Sequence, residues 1–194
     1  MSAIAPVLGE PREIAVFRAL KLGDLLCVVP ALRALRRAFP KARITLIGLP
    51  WARTLAARFN RYLDAFLAFP GFPGFPEQPC DVEALPGFIR AAQARRFDLV
   101  LQLHGSGALS NPLVMLLGAR QAAGYFRAGD YCPDPERFFP WRLHDHEIER
   151  YLELLRRLGV PAGDAALEFP LSDADRAELA GAAKHSALPR GDYV

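Results

Sequence analysis

Short apolar runs and longer helical patterns alternate along the chain. The apolar runs are typical of strands and cover residues 13–19, 42–49, 63–69, 97–103 and, more briefly, 119–125. Helical patterns occupy residues 24–39, 51–59, 82–97, 111–118 and 145–159. Because the strands are continuously apolar rather than alternating, the pattern predicts a parallel sheet with helices on both faces. The predicted fold class is therefore α/β and Rossmann-like.

Proline and glycine mark the breaks in this pattern. Pro30 lies inside the helical run 24–39 and removes one backbone hydrogen bond, which predicts a kink or a restart of the helix. The segment 69–79, "FPGFPGFPEQP", interrupts the alternation, and residues 126–143 have no clear period. In the last strong helical pattern, Asp145 is a plausible N-cap and Gly159 a plausible C-terminal stop.

The predicted strands end in polar or glycine-containing turns. These turns are "RALKLGD", "GLPW", "FPGFPG" and "QLHGSG". Parallel sheets of this kind bind ligands beyond the carboxyl ends of their strands. The chemistry of the chain is therefore expected at this edge of the sheet.

The composition is that of an ordinary globular protein. The chain has 194 residues, of which 52% are hydrophobic and 23% charged, and no apolar run reaches the length of a membrane span. The start of the chain lacks the basic and apolar regions of a secretory signal. Three widely spaced cysteines favour reduced thiols and a cytoplasmic location, and Cys27 in its apolar run is predicted to be a core residue.

Positive charge is concentrated in the first third of the chain. Residues 1–61 carry 11 basic and three acidic side chains, whereas the remainder is net acidic. Such a region can attract phosphate, lipid head groups or nucleic acid. The helical spacing of Arg33, Arg36 and Arg37 favours instead a solvated helix face. Because no aromatic residues are interleaved with these arginines, a nucleic-acid partner is not expected.

The stretch "LKLGDLLCVVP", residues 20–30, places an acid directly after a glycine at a strand-to-helix turn. A dinucleotide fingerprint needs three glycines there, and a carboxylate would repel a phosphate at a helix N-terminus. Two interpretations of Asp24 follow. It is either an N-cap or a general base, which the helix dipole and the cations Lys21 and Arg18 keep ionised.

The stretch "RALKLGDLLCVVPALRALRRAFPKARITLIGLPW" resembles the opening of glycosyltransferase family 9, the heptosyltransferase-like enzymes of lipopolysaccharide assembly. Its most specific part is Gly23-Asp24 followed by Pro30-Ala31-Leu32-Arg33. "FDLVLQLHGSGALSNPLVMLLGARQAAGY" and "HDHEIERYLELLRRLGVP" are also similar to later parts of the family. The resemblance covers about residues 13–162.

This resemblance implies the N-terminal, acceptor-side half of a two-domain GT-B enzyme. The implied organisation is a tail at 1–12, a Rossmann-like domain at 13–172, and at 173–194 a linker helix and the start of a nucleotide-sugar-binding domain near Tyr193. The implied reaction is inverting transfer of a heptose-like sugar from a nucleotide-diphospho-sugar to a cell-envelope glycan or lipopolysaccharide core, with Asp24 as catalytic base. No cofactor or metal is expected, and the 194-residue chain alone is expected to be inactive. The alternative is a non-catalytic Rossmann-like module that binds a ligand or partner.

Several further residues are candidates for substrate binding. Lys21 and Arg18 flank the proposed base and are expected to hold anionic groups, although Arg18 could equally form a strand-end salt bridge. Gly23 is expected to allow the bend before the helix. His104, Gly105 and Ser106 are expected to hydrogen-bond the acceptor, or else to form a helix-capping turn with an exposed histidine. His144 and His146 have metal-binding spacing, but capping is favoured because no third ligand is evident.

The phenylalanines of the segment 69–79 allow two interpretations. Exposed, they would contact a lipid-linked acceptor or the inner membrane, which predicts a cytoplasmic protein peripheral at that membrane. Alternatively, the segment is a self-packed proline loop, which is the favoured interpretation.

Overall fold

Six strands form one parallel sheet in the computed structural model, which describes residues 8–143 and 146–183. The strands are β1 (Glu13–Phe17), β2 (Arg43–Gly48), β3 (Ala65–Ala68), β4 (Leu99–Gln102), β5 (Gln121–Phe126) and β6 (Phe138–Pro140). Their order across the sheet is β3-β2-β1-β4-β5-β6, and every neighbouring pair is parallel. This is the strand order of doubly wound nucleotide-binding folds, so the predicted sheet is confirmed.

Helices cover both faces of this sheet, as the two apolar clusters show. Ile14 and Val16 of β1 point into a cluster with the helices α1 (Leu22–Leu26), α2 (Val29–Ala38), α3 (Ala52–Arg58) and α6 (Glu147–Arg157). The intervening Ala15 and Phe17 point into a second cluster with α4 (Leu85–Ala94) and α5 (Ser110–Leu116). Because alternate residues of a strand face opposite sides, β1 is buried on both faces.

The predicted helix 24–39 is two helices in the structure. α1 ends at Leu26 and α2 begins at Val29, so that Pro30 occupies the first turn of α2. A proline is well tolerated there because its missing N–H would have no partner within the helix. The predicted restart is confirmed.

Strand β6 was not predicted from the sequence. Its three residues pair with the end of β5, and Phe138 is 1% exposed. A strand of this length is too short for its pattern of side chains to show a period. The prediction that residues 126–143 are irregular is therefore wrong for this strand.

The end of α6 agrees with its predicted stop signal. Gly159 has φ +79° and its N–H donates to the Arg156 carbonyl, while the Val160 N–H donates to the Leu155 carbonyl. This pair of bonds is a Schellman motif, which requires a left-handed residue. At the other end the N-cap is His146. His144 and Asp145, the predicted metal ligand and cap, lie outside the described residues.

The predicted solvated face of α2 is wrong for two of its three arginines. Arg33 pairs with Asp164 and Glu168 at 2.6 and 3.1 Å, and Arg36 pairs with Asp64 at 2.5 Å. Only Arg37 is exposed. The acids come from distant parts of the chain, so the local spacing of the arginines could not reveal them.

The ion pairs of Arg33 with Asp164 and Glu168 attach the segment after α6 to the domain. Residues 160–172 lead to α7 (Asp173–Ala183), where Asp175 accepts two hydrogen bonds of 2.6 Å from Arg58 of α3. The predicted linker helix therefore lies against the first domain. In the predicted tail, Leu8 is buried in the core, and residues 1–7 and the predicted strand at Tyr193 lie outside the described residues.

The segment 69–79 folds back onto the sheet. Phe69 and Phe75 are 1% and 8% exposed, and both rings contact Phe17 edge to face, with centroids 5.2 and 6.2 Å away. Phe72 is half-buried against Phe75. The prediction of exposed aromatic rings is therefore wrong, and the self-packed interpretation is confirmed.

Candidate functional site

The site lies where β1 and β4 end side by side at the centre of the sheet. The chain leaves β1 toward β2 and β3, and leaves β4 toward β5 and β6 on the other side. This is a topological switch point, where the two loops diverge and leave a crevice. It brings the segment 18–24 next to the loop 103–107, at the edge of the sheet where the sequence predicts the chemistry.

Asp24 occupies the first turn of α1 at this crevice. The N-cap of α1 is Lys21, which places Asp24 three residues into the helix. The N-cap interpretation of Asp24 is therefore wrong. Its side chain is 44% exposed, and Oδ1 lies 3.5 Å from Nη2 of Arg18. Within residues 8–143 and 146–183 no main-chain N–H donates to this carboxylate, so it keeps free lone pairs toward solvent.

Gly23 does not serve the bend before α1. It has a helical φ, it is exposed, and a Cβ added to it would meet no atom within 4 Å. The expectation that the glycine allows the turn is therefore wrong.

Arg18 is completely buried, and its guanidinium makes four hydrogen bonds and one longer ion pair with protein acceptors. Nε donates to the Asp24 main-chain carbonyl at 3.2 Å, and Nη1 donates to the Leu103 carbonyl at 2.5 Å and to the Tyr151 hydroxyl. Nη2 donates to Glu147 Oε1 at 3.1 Å and faces Asp24 Oδ1. The strand-end salt bridge that the sequence allowed is present, and no donor of Arg18 remains free for a ligand.

Lys21 is the exposed cation of this loop. Among the described residues no carboxylate lies within ion-pair distance of its amine, although Asp24 is only three positions away. Lys21 is therefore free to bind an anionic group from solvent.

His104 lies at the end of β4, buried between the rings of Phe17 and Phe75 at 5.2 and 5.0 Å. Its Nδ1 accepts the Ala19 N–H at 3.3 Å, and Nε2 lies 3.5 Å from Glu77 Oε1. Burial, reinforced by the charge of Arg18, lowers the pKa of His104 to about 3. The ring is neutral, and the alternative of a solvent-exposed histidine is wrong.

Gly105 and Ser106 form the exposed part of the turn after β4. Gly105 has φ +62° with open space around it, and Ser106 is half-buried. Of the predicted residues on this loop, these two are partly exposed, whereas His104 is buried.

Sequence reasoning missed the polar network beneath this turn. Gln102 donates to Ser110 and to Asn111 Oδ1, and its own Oε1 accepts the His104 N–H at 3.1 Å. Asn111 donates to the Tyr125 carbonyl at 3.0 Å. All three side chains are at most 2% exposed. A glutamine inside an otherwise apolar strand was the available signal, because a buried amide needs partners.

Two residues of α6 were also missed. Glu147 and Tyr151 lie one turn apart, and the Tyr151 hydroxyl donates to Glu147 while accepting from Arg18. Burial raises the pKa of Tyr151 well above its usual value, which keeps the hydroxyl protonated. Cys27, predicted to be a core residue, is half-buried beside this group, and burial raises the pKa of its thiol.

The part of the chain that the structure describes offers neither a metal cluster nor a membrane-spanning helix. Histidine, cysteine and acidic side chains form no group of three there that could hold a metal ion. None of the described helices is long and apolar enough to cross a bilayer.

The sheet order and the crevice at its switch point define a Rossmann-like α/β domain of the kind found in GT-B glycosyltransferases. No protein-family model and no curated protein matches the sequence. Solved structures do match. A family 9 glycosyltransferase from Veillonella parvula is 21% identical with a TM-score of 0.69, covering 93% of this chain and 51% of its own.

Two E. coli enzymes have the same fold. ADP-heptose lipopolysaccharide heptosyltransferase II is 18% identical with a TM-score of 0.59, and the match covers 90% of this chain and 51% of the enzyme. Heptosyltransferase WaaC, solved with ADP-2-deoxy-2-fluoro heptose, is 18% identical with a TM-score of 0.58, and covers 80% of this chain and 51% of its own. The chain thus spans about half the length of each structure, and the likeness establishes the fold of one half of a GT-B glycosyltransferase.

Proposed function

We propose that this chain is the acceptor-side half of an inverting glycosyltransferase in which Asp24 is the general base. One observation carries the proposal. Asp24 presents a partly exposed carboxylate, without a main-chain hydrogen bond, at the switch point where this fold binds ligands. The likeness to family 9 and heptosyltransferase structures supports sugar transfer as the reaction class.

The proposed reaction is a single displacement. An acceptor hydroxyl oxygen attacks the anomeric carbon from the face opposite the leaving group, and the bond from that carbon to the diphosphate oxygen breaks. The bonding electron pair leaves with the nucleoside diphosphate, and the hydroxyl proton passes to Asp24. A carboxylate is a weak base, but it suffices because the hydroxyl becomes acidic as its bond to the anomeric carbon forms.

The proposed partners follow from the charges at the site and from the fold. Lys21 would hold an anionic group of the acceptor or of the leaving diphosphate, since it is exposed and unpaired among the described residues. Gly105 and Ser106 would contact the acceptor. We propose a heptose-like donor sugar, a cell-envelope glycan or lipopolysaccharide core as acceptor, and a cytoplasmic enzyme. The membrane contact expected from exposed phenylalanines is not proposed, because Phe69 and Phe75 are buried. No metal or cofactor is proposed.

Replacing Asp24 by asparagine in the complete two-domain enzyme tests this function. The substitution keeps the shape of the side chain and removes the base, so we expect transfer from a nucleotide sugar to fall by about 10²–10⁴-fold. Thermal unfolding should change little. The matched control is Glu153→Gln, which removes an exposed carboxylate of α6 that is ion-paired with Arg157.

Undiminished transfer by the folded Asp24→Asn enzyme would show that Asp24 is not the base. If the unaltered two-domain protein binds sugars but transfers none, the chain is instead a non-catalytic Rossmann-like binding module.

A further inference from the structure

Arg18 is the one fully buried cation of the site, and its contacts come from several separate parts of the fold. Its side chain leaves the end of β1 and reaches the end of β4 through the Leu103 carbonyl, and α6 through Glu147 and Tyr151. A buried guanidinium is tolerated when it is hydrogen-bonded and ion-paired, and Arg18 has four hydrogen bonds and two carboxylate partners. Such a group cannot rotate away without leaving charge and donors unpaired, so its position is fixed.

The remaining contacts of Arg18 hold Asp24 at two points. Where α1 gives way to α2, the Val28 N–H donates to the Leu25 carbonyl, and the Asp24 carbonyl accepts from Arg18 Nε at 3.2 Å. Arg18 Nη2 also faces the Asp24 carboxylate at 3.5 Å. The guanidinium therefore fixes both the backbone and the side chain of the proposed base.

Glu147 binds Nη2 of Arg18, the same nitrogen that faces the Asp24 carboxylate. Its Oε1 accepts from Arg18 Nη2 at 3.1 Å, which is shorter than the distance from Nη2 to Asp24. Glu147 is held in turn by the Tyr151 hydroxyl and by Arg150, whose guanidinium lies 3.7 Å above the Trp141 ring. The first turn of α6 thus supplies a second carboxylate on a rigid support.

This arrangement has an electrostatic consequence for Asp24. A cation alone next to a carboxylate makes it a weaker base, because the charged form is favoured. Glu147 offsets the charge of Arg18, so the positive field that Arg18 exerts on the Asp24 carboxylate is reduced. The other groups near this cluster are Lys21 before α1, Cys27 after it, the neutral His104 after β4, and Tyr151 and Arg150 of α6. Among them, burial keeps Cys27 and Tyr151 in their protonated, neutral forms at neutral pH.

We infer that Arg18 at the end of β1 and Glu147 and Tyr151 of α6 are positioning residues, which orient the Asp24 carboxylate and set the net charge beside it. The inference rests on the proposed function. It replaces the expected role of Arg18 in contacting substrate, and it makes α6 part of the catalytic apparatus although none of its side chains needs to touch a sugar.

The test is the pH dependence of kcat/KM in the complete two-domain enzyme carrying Glu147→Gln. Loss of the Glu147 charge leaves Arg18 uncompensated, so the acid limb of the profile should move about 0.5–1 pH unit lower. The plateau value of kcat should fall about tenfold, with the KM for nucleotide sugar unchanged. Glu153→Gln, two turns further along α6, should leave both the limb and the plateau as they are.

Tyr151→Phe provides the second variant, since it removes only the hydroxyl that links Arg18 to Glu147. We expect a threefold to tenfold lower kcat with the same KM for nucleotide sugar. If the Glu147 variant does not fold, a normal kcat in the Tyr151 variant overturns the inference.

Two further outcomes separate this inference from the proposed function. Suppose that Asp24→Asn is inactive, while Glu147→Gln has lower thermal stability but an unchanged pH profile of kcat/KM. This result would show that α6 has only a structural role. Full activity of Asp24→Asn would instead overturn the proposed function itself.

Discussion

Arg18 and His104 are neighbours at the ends of β1 and β4, and the fold buries both by opposite means. Arg18 keeps its charge because carbonyls, a hydroxyl and two carboxylates surround it. The imidazole of His104 accepts one hydrogen bond, from the Ala19 N–H, and is buried between two phenylalanine rings. Its neutral form is therefore favoured. The sequence placed both residues at the correct edge, but most of their partners lie 85 to 133 positions away or on the irregular loop 69–79. Local patterns could not reveal them.

The buried neutral histidine predicts how stability depends on pH. The pKa of His104 is about 3 when folded and near 6.5 when unfolded, so the unfolded chain binds more protons between these values. The contribution of His104 to the free energy of unfolding is therefore fully present above its unfolded pKa of about 6.5, and it is lost as the pH falls below that value. At pH 5 the loss relative to pH 7 should be about 1–2 kcal/mol.

Urea unfolding of the wild-type chain and of His104→Asn at pH 7 and pH 5 measures this contribution. Asparagine is neutral at both values, and its oxygen can accept the Ala19 N–H. The variant should be less stable at pH 7 because packing against the rings is lost, but its drop between pH 7 and pH 5 should be smaller. Equal drops in the two proteins would show that His104 does not titrate on unfolding.

At the scale of elements, the sequence identified the strands β1 to β5 and the helices between them. Apolar runs marked the buried strands, and Pro30 and Gly159 marked a helix restart and a helix end for reasons of backbone geometry. Strand β6 was missed because three residues show no period. The turn after β4 was recognised as polar, but its support by Gln102 and Asn111 depends on tertiary contacts.

The turn between β4 and α5 allows an element-scale prediction at Gly107. Its φ is +90°, and a Cβ there would lie 2.2 Å from the Tyr125 carbonyl oxygen and 2.4 Å from Asn111 Nδ2. Gly107→Ala must therefore displace the turn from β5 and break the amide network. We expect a loss of about 3 kcal/mol or more in the free energy of unfolding, from left-handed strain plus the overlap.

Gly129→Ala is the matched control for this prediction. Gly129 has nearly the same φ, +92°, but a Cβ there meets nothing within 4 Å. In Gly129→Ala only the strain of a left-handed backbone remains, which should lower the free energy of unfolding by about 1–2 kcal/mol. Similar losses in the two variants, measured by urea unfolding, would show that the close approach to β5 does not matter.

At the scale of the whole molecule, the sheet order brings together parts of the chain that the sequence keeps far apart. The central position of β1 and β4 creates the crevice, and the return of the chain through α6 places Glu147 and Tyr151 against Arg18. The strand-helix alternation predicted the crevice, because ligand sites in such sheets follow from topology. It did not predict the contribution of α6, since no rule of topology places that helix over the end of β1.

The charges left free at this crevice predict that the 194-residue chain binds nucleotide sugar poorly by itself. Stabilising a diphosphate takes several converging donors or cations. Arg18 has no donor left, and Lys21 is the exposed cation of the loop before Asp24. Isothermal titration with a nucleotide-diphospho-sugar should therefore give at least 100-fold weaker binding for residues 1–194 than for the two-domain enzyme.

Lys21→Ala should abolish the residual heat of binding in the short chain, whereas Lys41→Ala, which removes an exposed lysine before β2, should leave it unchanged. Equal affinity of the short and long proteins for the nucleotide sugar would place the donor site on this half. That result would contradict the proposal that the donor binds mainly to the second domain.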